Sequence, residues 1–174
     1  MKKVLIVIDM QKDFVDGSLS NPDAQAIVTA IASYVKAYDG DVIATRDTHQ
    51  ANYMQTAEGK KLPVPHCIEN TDGWQIVDEI DAVLQEKGAR ILDKPSFGFL
   101  GWGMLGEYDE AELVGTCTDI CVVSNALIIK AMFPELTVKV NASLCAGTSQ
   151  ANHDAALAVM GCCQVEIVNE QKHY

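Results

Sequence analysis

Three side chains of complementary chemistry stand at or beside the ends of apolar segments. Asp9 follows the apolar run of KVLIVID, Lys94 ends RILDK, and Cys121 lies in VGTCTDICVVSN. A carboxylate can accept the proton of a thiol, and an ammonium can stabilise the thiolate, so the three together would make an activated nucleophile. Apart from one another they have simpler interpretations: Asp9 and Lys94 as a structural ion pair, and Cys121 as a small buried apolar residue.

The segment that carries Cys121 has the pattern of a helix start. With Thr118 as its cap, Cys121 would lie in the first turn, where free backbone N–H groups favour a thiolate. No pair of cysteines has C-x-x-C spacing, which argues against a thioredoxin-like motif or a zinc ribbon. We expect every cysteine to be a free thiol, because a chain of this size does not need disulfides.

The elements around these residues alternate between strand and helix patterns. Such alternation predicts an α/β fold, here a three-layer doubly wound fold with a six-stranded, mostly parallel sheet flanked by helices. We expect one domain over residues 1–174, with a long loop at 48–70. The predicted strands are 3–9, 41–47, 90–94, 110–117, 136–141 and 164–168, and the predicted helices are 21–38, 71–88 (with Thr71 as a possible cap), 119–133 and 148–161.

Open parallel sheets bind their ligands beyond the carboxyl ends of the strands. Asp9, Asp47, Lys94 and the segment 117–121 all stand at predicted strand ends. We therefore expect these residues, which are distant in sequence, to converge on one crevice.

Composition excludes several classes of function. The chain of 174 residues is 48% hydrophobic and carries a net charge of −11, which argues against nucleic acid and anionic membranes as partners. No apolar run is long enough to span a bilayer. The apolar run 4–8 is too short for a signal peptide before Asp9 interrupts it, so we expect a cytoplasmic protein.

The segments VLIVIDMQKDF, LDKPSFGF and VGTCTDICVVSNA together resemble the isochorismatase-like cysteine hydrolases, a family that includes nicotinamidases. The resemblance follows the order of elements from residue 3 to about 168 and implies a catalytic triad of Asp9, Lys94 and Cys121. Asp13 matches a second acidic position that is not the family's base. True isochorismatases lack the nucleophilic cysteine, so the presence of Cys121 implies the amide-cleaving branch.

The same resemblance gives the loop 48–70 a role. In nicotinamidases a D-x-H pair and a later H-C segment hold a divalent metal, which implies Asp47, His49 and His66 as ligands here. Zinc, iron and manganese all suit such a donor set, with zinc our first choice. Without the resemblance, Asp47 and His49 would be interpreted as surface loop residues and His66 as a histidine satisfied by hydrogen bonds.

The fourth ligand is less clearly indicated. Many members of the family place a histidine six residues after the first one, where this chain has Gln55. Some relatives instead use a glutamate nine residues after it, which would be Glu58. Glu69 and a water molecule are the competing candidates.

The resemblance also implies the walls of the site. Phe14 and Phe97 match positions that contact the substrate ring, and Trp102 lies nearby; such aromatic residues equally fill cores or interfaces. In this family the bond before Cys117 is typically cis, which would aim the Cys117 amide inward. With the Cys121 amide it would form an oxyanion hole.

The activity implied is hydrolysis of a small carboxamide through a thioester on Cys121, with nicotinamide as the expected substrate. The alternatives are another amidase or ureidohydrolase of the family, or an inactive binding protein with the same fold. A flavodoxin-like cofactor carrier is disfavoured, because DMQKDFVDGS is not a phosphate-binding loop. Family members often form dimers or tetramers, so we expect a homo-oligomer.

Overall fold

The computed structural model describes residues 1–170 and has a central six-stranded sheet in the order β3-β2-β1-β4-β5-β6. All neighbouring strands are parallel, so the expectation of a mostly parallel sheet is sharpened to an all-parallel one. The strands are β1 (Lys3–Ile8), β2 (Asp41–Asp47), β3 (Arg90–Lys94), β4 (Glu110–Thr116), β5 (Thr137–Ala146) and β6 (Glu166–Val168).

Helices cover both faces of this sheet. Strand β1 is apolar throughout because its alternate side chains enter two different cores: Leu5 packs on one face and Ile6 on the other. One core contains residues of α5 and α6, and the other contains residues of α2 and α4. The helices are α1 (Lys12–Val15), α2 (Pro22–Ala37), α3 (Ala57–Lys61), α4 (Asp78–Glu86), α5 (Val123–Met132) and α6 (Gln150–Cys162).

One predicted helix start and one predicted helix cap are wrong. The helix predicted over 71–88 begins only at α4, because Ile76 forms an antiparallel bridge with Gln11 and the Thr71 hydroxyl donates to the Ile68 carbonyl. The helix predicted from 119 begins with a π-helical turn, Thr118–Val122, before α5. Thr118 does not cap it, since its hydroxyl hydrogen-bonds with His153 Nδ1 at 2.8 Å.

The long segment 48–70 is more ordered than a plain loop. It contains a 3-10 turn (Tyr53–Gln55) and the short helix α3. The Thr56 hydroxyl caps α3 by accepting from the Gly59 N–H at 3.0 Å. Gly59 lies against the preceding turn, where a Cβ would collide with the Tyr53 carbonyl, so the orientation of α3 is fixed.

Strand β5 is also longer than predicted, because apolar residues continue to Ala146 along its buried face. Among residues 1–170, no helix combines the length and apolar character that crossing a bilayer requires.

Candidate active site

The ammonium of Lys94 lies at the centre of the proposed triad. Its Nζ is 2.7 Å from Asp9 Oδ2 and 3.4 Å from Cys121 Sγ. Lys94 and Asp9 are fully buried, and Cys121 is 5% exposed. The order of the strands explains this convergence. Asp9 follows β1, Cys121 follows the neighbouring strand β4, and Lys94 ends β3, which is separated from β1 only by β2. The structure therefore brings together the three residues that the sequence predicted.

Asp9 is held in place by the neighbouring strand. The Thr45 hydroxyl donates to Asp9 Oδ1 at 2.6 Å and accepts from the Asp9 N–H at 3.3 Å. Burial raises the pKa of the Asp9 carboxyl, and this effect outweighs the lowering by Lys94. A buried carboxylate of raised pKa is a better proton acceptor than an exposed one. Asp9 thus has the environment of a general base.

The environment of Cys121 favours the protonated thiol. Burial raises the pKa of Cys121 well above its usual range, and the Asp9 charge raises it further, while Lys94 lowers it. The expected effect of the helix start, which favours a thiolate, is outweighed by this burial. Ionisation of Cys121 consequently requires a base in contact with the site, and Asp9 is available for that purpose.

Cys117 stands at the end of β4 and lines the same cavity as Cys121. The Thr116–Cys117 peptide bond is cis, as the resemblance implied. The Cys117 carbonyl accepts from the N–H groups of Ile120 and Val122 at 3.0 and 3.1 Å. Burial also raises the pKa of the Cys117 thiol, to about 11.

Two buried amide side chains that the sequence analysis did not single out support the site. Gln11 donates from Nε2 to the carbonyls of Asp47 and Trp74 at 2.8 and 2.9 Å. Its Oε1 accepts from the Asp47 N–H at 2.7 Å. Gln11 therefore joins the end of β1 to the end of β2, and the only signal in the sequence was its place two residues after Asp9.

Asn125 is the second of these amides and lies fully buried in α5. It donates to the Cys121 and Phe97 carbonyls at 2.8 and 3.1 Å. Its Oδ1 accepts from the Phe99 N–H at 2.8 Å and from Trp102 Nε1 at 3.0 Å. This residue joins the turn that carries Cys121 to the aromatic loop. Its only signal in the sequence was a polar residue within an apolar helix.

Four residues beside the triad form a cluster with the chemistry of a metal site. One donor atom from each of Asp47, His49, Glu58 and His66 lies within 4.8 Å of the other three. His49 Nε2 is 3.0 Å from Asp47 Oδ2 and 3.7 Å from Glu58 Oε1. His66 Nε2 is 3.7 and 3.6 Å from the same two oxygens. The structure brings all four of the predicted ligands together.

The two imidazoles are arranged to donate to a cation. His66 Nδ1 is 2.8 Å from the Val64 carbonyl, so Nδ1 carries the proton and the lone pair of Nε2 faces the cluster. His49 Nε2 is buried and faces Asp47 Oδ2 at 3.0 Å, in a contact that lacks good hydrogen-bond geometry. Two imidazoles and two carboxylates are donors that suit zinc, iron or manganese. The residues present therefore fit a divalent metal ion.

The segment that carries His66 is positioned by Asp13. Asp13 Oδ2 accepts from the Cys67 N–H at 2.7 Å, immediately beside His66 in the sequence. The second carboxylate of the first motif thus has a structural role, as expected for a residue that is not the base. Cys67 is also buried, and burial raises the pKa of its thiol far above the usual range, which disfavours the reactive thiolate.

The candidates for the fourth ligand are separated in space. Glu58, on the fixed helix α3, joins the cluster. Glu69 is exposed and instead accepts a hydrogen bond from Gln50 Nε2 at 2.8 Å. Gln55 is exposed in the preceding turn. The geometry favours Glu58 over both.

We expect Glu58→Gln to weaken metal binding by at least about tenfold, because it removes a charged donor from the cluster. The matched variant Glu69→Gln makes the same chemical change outside the cluster and should retain the metal. Metal content by mass spectrometry and competition with a chromophoric chelator measure both variants. Equal losses in the two variants, or none in Glu58→Gln, would contradict this assignment.

A cavity of about 670 Å³ opens over Cys121. Phe14 and Phe97 line it, as predicted, and the Phe14 ring is 5.6 Å from the His66 ring. Phe97 is 45% exposed at the cavity wall. Trp102, by contrast, is fully buried and packs against Phe99 at 5.1 Å, which makes it a core residue.

An all-parallel α/β sheet with a cysteine, a carboxylate and a lysine at its carboxyl edge is the arrangement of the isochorismatase-like hydrolases. The family model for the isochorismatase domain matches residues 3–171, and the chain belongs to this family. The resemblance and fold expected from the sequence are thereby confirmed.

Several relatives carry more specific names. The nicotinamidase/pyrazinamidase of Mycobacterium tuberculosis is 31% identical over 184 residues, covering 95% of this chain and 98% of that protein. The crystal structure of the pyrazinamidase/nicotinamidase of Streptococcus mutans is 33% identical, with a TM-score of 0.83 and coverage of 96% and 100%. The pyrazinamidase of Pyrococcus horikoshii in complex with zinc is 23% identical, with a TM-score of 0.78 over 98% and 100%, and shows the shared fold.

Proposed function

We propose that this protein hydrolyses nicotinamide to nicotinate and ammonia through a thioester on Cys121. The observation that carries the proposal is the Lys94 ammonium, which contacts both Asp9 and Cys121 beneath a cavity with aromatic walls. The two similar proteins above, at 31% and 33% identity, are named for nicotinamide and pyrazinamide hydrolysis, which supports the same choice of substrate.

The first step transfers the Cys121 proton to Asp9. The sulfur then attacks the amide carbonyl carbon, and the carbonyl π electrons move to oxygen. The backbone N–H groups of Cys117 and Cys121 would stabilise this oxyanion, which needs fixed donors rather than mobile water. Lys94 stabilises the charges on Asp9 and the sulfur as the proton moves.

The tetrahedral intermediate collapses when the oxyanion reforms the carbonyl and the C–N bond breaks. Asp9 returns its proton to the departing nitrogen, which leaves as ammonia. Water then attacks the thioester while Asp9 accepts one of its protons, and the sulfur leaves with the C–S electron pair. Cys121 takes up the proton from Asp9 again, and the carboxylic acid is released as its anion.

Asp47, His49, Glu58 and His66 would hold the divalent metal ion. When bound, it would supply a positive centre that orients the substrate through a ring nitrogen or a bound water. The aromatic side chains of Phe14 and Phe97 would hold the ring flat in the cavity. Orientation of this kind raises the rate by fixing the carbonyl carbon next to the sulfur.

We expect ammonia release from nicotinamide and pyrazinamide, with loss of turnover when a chelator removes the metal and recovery when zinc is restored. Simple ureido compounds are the comparison substrates. Turnover of ureido compounds alone would favour the alternative amidase or ureidohydrolase, and a metal-loaded protein inactive on every compound would favour a binding protein. Either result would overturn nicotinamide as the substrate.

Three expectations from the sequence belong to this proposal. The chain would work as one catalytic domain, in the cytoplasm and as a homo-oligomer. Light scattering coupled to size-exclusion chromatography tests the last of these.

A further inference from the structure

The cavity over Cys121 is larger than a single ring with one carboxamide requires. Its volume is about 670 Å³, and pockets of roughly 300 to 1,000 Å³ accommodate drug-sized ligands. Cys121 and the cluster residues Asp47 and His66 all line this cavity. Ala57, Glu58 and Lys61 of α3 form part of the same cavity wall.

Helix α3 presents one of its faces to this volume. Ala57, Glu58 and Lys61 line the cavity, as expected for one helical face, because Lys61 is four residues after Ala57 and three after Glu58. Leu62, which follows the helix, also lines it. Lys60 does not line it. Gly59, packed against the Tyr53 carbonyl, fixes which face of the helix points inward.

Lys61 is the one lysine or arginine among the cavity-lining residues, counted over residues 1–170. Within residues 1–170, the Lys61 ammonium forms no ion pair, although Glu58 lies one helical turn before it. The Glu58 carboxylate faces His49 and His66, at 3.7 and 3.6 Å. A cation without a partner at the edge of an apolar cavity can attract an anionic group of a ligand.

We infer that the site takes carboxamides bearing a negatively charged substituent away from the scissile amide, with Lys61 as the residue that recognises the charge. This inference rests on the proposed function and names a substrate class for it. The net charge of −11 makes the chain as a whole repel anions, so a local cation in the cavity is needed to admit such a substrate.

The test compares two ring-substituted nicotinamides of similar size. One is the monoamide of pyridine-3,5-dicarboxylic acid, which is an anion at neutral pH, and the other is the neutral 5-methylnicotinamide. The readout is the ratio of their kcat/KM values for ammonia release, which cancels any general loss of activity in a variant. The whole metal-loaded protein is used throughout, with unsubstituted nicotinamide as the reference.

We expect the anionic amide to be hydrolysed, and Lys61→Met to lower the ratio by about three- to fivefold, as befits an exposed charge pair. Lys61→Glu should lower it further, because attraction becomes repulsion. Lys60→Met, which removes the same charge from the same exposed helix, should leave the ratio unchanged. Added salt should lower the ratio in the unmodified protein more than in Lys61→Met.

The outcomes separate this inference from the proposed function. A ratio that responds equally to Lys60→Met and Lys61→Met, or to neither, overturns the inference while nicotinamide turnover still supports the proposed function. Turnover of the anionic amide without turnover of nicotinamide overturns the proposed substrate and supports the inference. Absence of turnover with all three amides overturns both.

Discussion

Replacement of Cys121 by alanine should lower ammonia release by at least about a thousandfold, because loss of a covalent nucleophile removes the whole acyl-transfer pathway. The fold should persist, since the change deletes one buried sulfur at the edge of a core. Metal content should also persist, because Cys121 is not among the four residues of the cluster. Steady-state ammonia assays and metal analysis measure the two quantities.

Cys117→Ala is the matched control for this prediction. It deletes the neighbouring sulfur in the same cavity but retains the backbone N–H that the mechanism uses. We expect its activity to stay within a few-fold of the unmodified protein. If Cys117→Ala were inactive and Cys121→Ala active, the nucleophile would have to be reassigned to Cys117.

Replacement of Lys94 by methionine should have the largest effect on stability. Methionine fills a similar volume but leaves the carboxylates of Asp9 and Asp47, 2.7 and 3.3 Å from Nζ, without their cation. Removal of one partner from a buried charge pair costs about 3–5 kcal/mol in the free energy of unfolding. Urea denaturation of the metal-free protein measures this cost without a contribution from metal binding.

Lys139→Met is the comparison. Lys139 Nζ lies 2.6 Å from Glu110 Oε2, but its side chain is 25% exposed and solvent can screen the pair. A loss of at most about 1 kcal/mol is expected for such a partly exposed pair. Similar losses of stability in Lys94→Met and Lys139→Met would show that burial of Lys94 adds little to the strength of its ion pairs.

The loss of unfolding free energy caused by Lys94→Met should depend on pH. Burial already raises the pKa of Asp9 in the folded protein, and removal of Lys94 takes away the main lowering influence. A folded-state pKa above the unfolded one means that stability is fully present at low pH and is lost as the pH rises through the folded pKa. As the pH rises above the usual range of a carboxyl pKa, the variant should therefore lose more stability than the unmodified protein.

The sequence predicts the site well where a residue follows a strongly patterned strand. Asp9, Asp47 and Lys94 end strands whose parallel packing brings their carboxyl ends to one edge, so a rule about sheets was sufficient to group them. The motif around Cys121 then supplied the nucleophile. The sheet rule was not sufficient to place Glu58 in the cluster, because the position of Glu58 depends on how α3 packs against the turn at Tyr53.

The errors arose where a distant residue competes for a local hydrogen bond. Threonine is a common helix cap, but the Thr118 hydroxyl hydrogen-bonds with His153 Nδ1 at 2.8 Å instead of with the backbone of its own helix. Gln11 and Asn125 were overlooked because their importance lies in partners from other segments, including carbonyl groups that no side-chain pattern reveals. Local sequence does not encode such tertiary partners directly.

The position of Lys94 has a consequence for the whole crevice. Its ammonium reaches Asp9 and Cys121 on one side and Asp47, a member of the metal cluster, on the other. A cation that enters the cluster competes with Lys94 for Asp47 and so alters the balance of charge around the sulfur. By thermodynamic reciprocity, if a bound cation changes the free energy of acylation at the sulfur, acylation changes the affinity of the cluster for that cation by the same factor. Lys94 thus links the proposed nucleophile and the candidate metal cluster electrostatically, so the two are not expected to act independently.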